Sequence, residues 1–198
     1  MRCWRWMHRV SWVSIAMVAL LAACGSDKTV PPAKLPRLVL QPADLHGPYT
    51  AFDVGRQTQL DRVPGPRSAP ARFGRQGGWK ARYNRPGTTA TRGPLVVESR
   101  ADVFKDATGA AKDLAAYRAQ FARQAGGRPF AVRLGTAATG VTQQRPGQPA
   151  VRFVSVAWQD GNVTASVTLN GFAPGLRAAD AVALARAQER RIAGARGS

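Results

Sequence analysis

His46 is the only imidazole beyond residue 23, and it sits in the turn-like stretch Asp44-Leu45-His46-Gly47-Pro48. A histidine oriented by a carboxylate can take the proton of a serine hydroxyl and make it a nucleophile. Asp44 is close in sequence, but no Gly-x-Ser-x-Gly nucleophile turn accompanies the pair. His46 therefore reads as a surface turn residue, with a hydrolase built on His46 as the alternative. Paired carboxylates would serve acid–base hydrolysis. Glu98 and Asp102 fall at a predicted strand-to-loop junction, and Asp106 and Asp113 fall around a predicted helix start, where acids complement the helix dipole. Those are structural positions. Gly74-Arg75-Gln76-Gly77-Gly78 has no leading strand and no following Lys-Ser/Thr, so it is not a phosphate loop. Trp79 and Trp158, with Phe153, are candidate ligand contacts, although aromatics on strand faces also build cores. The chain is read as non-enzymatic, with no metal site and no cofactor.

Cys24 is the other residue with chemistry of its own. It follows Leu21-Ala22-Ala23 at the end of an uncharged run from Val10, and Arg2, Arg5 and Arg9 precede that run. A basic start, an apolar stretch and small residues make a secretory signal peptide. With 14 residues, Val10–Ala23 is short of the ~20 that a spanning helix requires. The Leu-Ala-Ala-Cys order resembles the lipobox of bacterial lipoproteins. That resemblance implies cleavage before Cys24, a diacylglycerol on its sulfur and an acyl group on its amine. Two or more acyl chains make a stable anchor. The implied location is the cell membrane, on its extracytoplasmic side.

Cys3 and Cys24 are the only cysteines, so a domain lacking the signal has neither a disulfide nor a zinc–cysteine site. The signal holds three of the 29 basic residues and none of the 11 acids, leaving a charge of +15. Such a field favours anionic partners, here anionic lipids or envelope polymers rather than nucleic acid. Arg62, Arg67, Arg72 and Arg75 are the candidate contacts, as a basic lip on a loop-rich segment at 61–78. A compositional origin of the charge remains the competing account, because the arginines are scattered along the chain. A protein partner is equally open, and its identity is unknown.

The elements follow from periodicity. Residues 24–36 read as a Pro-rich tether behind the lipidated cysteine, and 37–198 as one domain. Trp79–Tyr83 and Leu95–Ser99 read as strands, and Ala110, Leu114, Tyr117 and Phe121 share one helical face between Asp102 and Ala125. Asp106 is its predicted N-cap. Pro129–Leu134 and Gly140–Gln144 are further strands. Val151–Trp158 and Val163–Leu169 flank Asp160-Gly161, a preferred hairpin turn that would set Trp158 opposite Val163. A second helix runs from about Arg177 to Ala193, stopped by Gly194. The fold class is α+β: a mostly antiparallel sheet with two main helices packed on it, on the same or opposite faces.

The segments VESRADVFKD, VAWQDGNVTASVTLNGF and ADAVALARAQERRI together resemble small secreted lipoproteins of high-GC, actinobacterial type. The resemblance covers roughly 95–193 and implies an α/β sandwich of the PsbP/Mog1 kind. It brings no functional residues. The function these readings support is a membrane-anchored lipoprotein with a non-catalytic binding or scaffold domain.

Overall fold

Alternation in β6 (Val151–Asp160) and β7 (Val163–Phe172) organises the molecule, because each strand is apolar on one side and polar on the other. They form the expected hairpin, in a register two residues from the expected one. Trp158 faces Ala165 and Val156 faces Val167, which centres the turn on Gly161-Asn162. A shift of two leaves every side chain on its predicted face. The reason lies in the two turn residues. Gly161 supplies the positive φ, +55°, while Asn162 stays at negative φ and uses its side chain. Its amide donates to Phe104 O at 2.9 Å and Val30 O at 3.0 Å, and its oxygen accepts from Val30 N at 2.8 Å.

The computed structural model describes residues 29–58 and 65–197. The signal peptide, Cys24 and Arg62 lie outside the described residues. The remaining strands are β1 (Thr50–Arg56), β2 (Arg75–Asn84), β3 (Val96–Phe104), β4 (Arg128–Phe130) and β5 (Ala137–Arg145). All pair antiparallel in one sheet of order β1-β2-β3-β7-β6-β5-β4. After β3 the chain crosses to the far edge through α2 (Ala107–Ala122), capped by Asp106, whose carboxylate accepts from Gly109 N. After β7 it returns as α3 (Ala178–Gly197). The two helices cover opposite faces. Ala181, Ala185 and Ile192 of α3 pack on Val154, Val156, Trp158 and Val167, whereas Leu114, Tyr117 and Phe121 of α2 pack on Val141 and Ala157.

Three boundaries differ from expectation. The segment read as a tether is part of the domain from Val30 onward. A 3₁₀ turn at Pro32–Lys34 leads into the one-turn helix α1 (Leu35–Leu38), and Val30, Leu38, Val39 and Leu40 are fully buried beside α3. Burying an aliphatic side chain stabilises by about 1.5–3 kcal/mol, which outweighs the extended preference of the prolines. Gly194 does not stop α3. Glycine costs about 1 kcal/mol inside a helix, and the buried Ile192 and Ala195 on either side carry the helix through. The loop-rich segment ends early, at a 3₁₀ turn, Pro70–Phe73, after which β2 begins at Arg75.

Candidate functional site

Alternate residues of β3, β6 and β7 place a polar band under α2. Glu98, Arg100 and Asp102 come from β3, Ser155 from β6, and Thr164, Ser166 and Thr168 from β7, each out of phase with the apolar residues that meet α3. Antiparallel pairing sets Asp102 beside Thr164, Arg100 beside Ser166, and Glu98 beside Thr168.

At the start of α2 the band is closed by a buried ion cluster. Arg67 has 2 % of its surface exposed and forks onto two carboxylates. Its Nε and Nη2 donate to Asp113 at 3.0 and 2.9 Å, and Nη2 also donates to Asp102 at 3.0 Å. Arg75 Nε donates to the other oxygen of Asp102 at 2.5 Å, and its Nη2 to Gln57 O at 2.7 Å. Two guanidiniums meet two carboxylates, so the group carries no net charge. Gly78 makes room for it: a Cβ there would lie 1.9 Å from the Arg75 guanidinium and 2.2 Å from Asp102. Burial works against the Arg67 charge, but Tyr117 and the two carboxylates outweigh it and hold its pKa above the ordinary arginine value. Asp102 and Asp113 are engaged in this pairing, and among the described residues no three His, Cys, Asp or Glu group to hold a metal ion.

Tyr117 links the cluster to a recess. The Arg67 guanidinium stacks 3.6 Å from its ring centroid, and its hydroxyl bonds Ser166 at 2.9 Å. Burial pushes the Tyr117 pKa up to about 12, with Arg67 pulling the other way. Beyond Tyr117 a recess of about 170 Å³ lies between the second half of α2 and the sheet. Gln120 and Gln124 form its helix wall, and Glu98, Arg100, Ser155, Ser166 and Thr168 its sheet wall. Ser155 and Thr168 bond each other at 3.1 Å, and Arg100 pairs with Glu98 at 2.5 Å. Burial disfavours the Arg100 charge and Glu98 overcomes it, so its pKa is raised. The side-chain oxygen of Gln120 is shielded and has no hydrogen-bond partner among the described residues.

Among the described sequence candidates the structure brings together Arg67 and Arg75, which share Asp102, and leaves the others apart. Arg67 is inside the cluster rather than on a basic lip, because two buried acids need it. Arg75 is spent on Asp102. Arg72 is exposed, donating to Pro66 O and lying over the Phe73 ring. Trp158 is wholly buried and has no surface to offer a ligand, and Trp79, partly buried on β2, packs against the same apolar cluster on the α3 face. His46 is exposed, while Asp44 accepts from Gln41 N at 2.7 Å and Arg191 Nε at 2.5 Å. The hydrolase alternative thus loses its nearest carboxylate. Glu98 and Asp102 both lie within β3, not at its end.

The cluster had two signals in the chain. Asp113 is three residues after Ala110 and four before Tyr117, which places a carboxylate on the buried stripe of α2. Gly77-Gly78 stands in a strand, where glycine marks a close approach.

No family model matches the chain, and no curated protein matches it. Among solved structures, the extracellular domain of PknH from Mycobacterium tuberculosis superposes with a TM-score of 0.65, over 87% of this chain and 100% of that one. The two are 13% identical, so what they share is the fold.

Proposed function

We propose that this chain is a lipid-anchored extracytoplasmic binding domain without catalytic chemistry, whose ligand places a polar donor group beneath α2. The observation that carries the binding part is Gln120. Its oxygen is shielded and unpaired in a recess otherwise walled by hydroxyls, an amide and paired charges. Buried polar atoms are almost always satisfied, so an open acceptor favours a ligand that donates to it. The recess, about 170 Å³, falls below the ~300 Å³ at which sites for whole small molecules begin. It suits the end group of a larger ligand, such as a sugar hydroxyl or a peptide amide. The ion cluster holds the walls in place before the ligand arrives.

Anchoring rests on the basic, apolar, Leu-Ala-Ala-Cys order that ends at Cys24. The fold shared with an extracellular domain supports the same side of the membrane. Among the described residues no helix is long and apolar enough to cross a membrane.

The two parts separate experimentally. In a bacterial host fed a fatty-acid probe, the wild type is labelled and membrane-bound and Cys24→Ala is not; equal labelling defeats the anchor. For binding, the probe is soluble muropeptides, which carry sugar hydroxyls and peptide amides. Hydrogen exchange should slow at 117–124 and 166–168. Thr168→Trp, which fills the mouth from a half-exposed position, should abolish the protection while thermal unfolding still shows a folded domain. Protection elsewhere, or protection untouched by Thr168→Trp, refutes the recess as the binding site.

A further inference from the structure

We propose that the opposite face carries a second site, for a phosphate-bearing or similarly multivalent anion, between the start of α3 and the β4–β5 edge. A cavity of about 590 Å³ opens there, within the range of ligand sites, about 300–1,000 Å³. Its walls include Arg128 of β4, Thr142 and Gln144 of β5, Arg152 of β6 and Arg177 before α3, and none of its lining residues is acidic. Register brings them together: Arg128 pairs with Thr142, and Gln144 with Arg152, which alternates in phase with Val154 and Val156. The site is therefore on the α3 face and independent of the recess under α2.

The state of the three guanidiniums points to an anion. Arg128 is exposed and makes no ion pair with any described residue. Arg177 has a side chain 75% exposed and a single long contact, 3.5 Å, to Asp180. Arg152 is held in place without being neutralised, donating to Leu176 O at 2.9 Å and to Gln144 Oε1 at 3.3 Å. Of the other sheet arginines, Arg82 has Asp53 and Glu98 and Arg100 has Glu98, while Arg56 and Arg145 are exposed without an ion pair to a described residue but line no shared cavity with a second arginine of this group. Arg128 and Arg152 have no carboxylate partner and Arg177 only its long, exposed contact to Asp180, so the cavity keeps an excess of positive charge until a counter-charge enters. Guanidinium forks match phosphate oxygens two at a time, with Thr142 offering a further donor. The order of basic residues along the chain gives no hint of this grouping, because 128, 152 and 177 are separated by strands and turns.

The test is calorimetric titration of the full chain in a zwitterionic detergent with two probes, inorganic pyrophosphate and dihexanoylphosphatidylglycerol below its micelle concentration. Saturable binding of pyrophosphate is expected. Arg128→Gln with Arg177→Gln should weaken it about tenfold or more, equivalent to ~1.4 kcal/mol. Both positions are exposed, so the fold should survive, which thermal unfolding checks. Arg118→Gln with Arg123→Gln removes the same charge from exposed positions on α2 and at its C-terminal cap and should change binding little. Phosphatidylglycerol competing with pyrophosphate makes the site one for a lipid headgroup; pyrophosphate alone makes it one for a soluble phosphate. Equal weakening by both pairs of substitutions, or no saturable binding of either probe, overturns the site.

Discussion

Beneath α3 the central strands present Val97, Ala101, Val103, Val156 and Val167; beneath α2 the same strands present Asp102, Arg100, Ser155, Ser166 and Thr168. The first face is held by apolar contact, which is non-directional and roughly proportional to area. The second is held by charges and hydroxyls that must find specific partners. Arg67 reaches Asp102 and Asp113 across 35 and 46 residues of chain. One face thus supplies stability that tolerates substitution of similar volume, while the other supplies a fixed polar surface that a ligand can read.

The largest expected effect breaks that second face. Arg67→Met should destabilise by about 3–5 kcal/mol in denaturant unfolding, because it leaves two buried carboxylates short of a counter-charge. Adding Asp113→Leu should restore roughly half, since Asp102 keeps Arg75. On the α3 face Leu169→Ala should cost about 2–5 kcal/mol through a cavity, and Leu169→Met under about 1.5 kcal/mol. No conservative swap of Arg67 should be tolerated in that way. If Arg67→Lys proves neutral, the forked geometry does not matter and the contrast between the faces fails.

The contrast also explains what the chain discloses. Apolar period is local, so the strands, α2, its Asp106 cap and the hairpin are legible, as is the α+β class. Ion pairing between distant residues has no period, and Arg67 read alone is a basic residue on a Pro-rich loop. Asp113 on the α2 stripe and Gly78 in a strand mark the cluster, but neither names its partner. The hairpin register turned on Asn162, whose amide is needed by Val30, and that contact spans 132 residues. The same contact hides the folding of the predicted tether, since Val30-Pro-Pro-Ala-Lys reads as extended until the sheet end that receives it is known.

A smaller effect sharpens the comparison through pH. Tyr117 sits between the ion cluster and the recess, with a pKa raised from 10.0 to about 12. The unfolded chain therefore releases this proton first. The stabilisation is full below pH 10 and is lost as pH rises toward 12, by about 2–3 kcal/mol in all. Tyr117→Phe removes that slope, together with the bond to Ser166, worth ~1 kcal/mol at every pH below it. Unfolding free energies of the two proteins should approach each other and cross between pH 10 and 12, leaving Tyr117→Phe the more stable at the top of that range. Parallel curves would mean that Tyr117 is not buried against the cluster.

The smallest effect lies on the same polar face, past the reach of α2. Asp53 of β1 receives Lys80 Nζ at 2.6 Å, with Arg82 at 3.5 Å, and all three side chains are about a third exposed. Its pKa is lowered, chiefly by the Lys80 hydrogen bond. Its stabilisation is accordingly present above the unfolded carboxylate value and lost as pH falls through the lowered one. Solvent screens the pair, so Asp53→Asn should cost no more than about 1 kcal/mol at neutral pH, and less in high salt. Charges on one face would then differ severalfold in effect, with burial the main difference between them. A loss at Asp53 as large as that at Arg67 would show that the whole charged band, and not the cluster under α2, holds this face together.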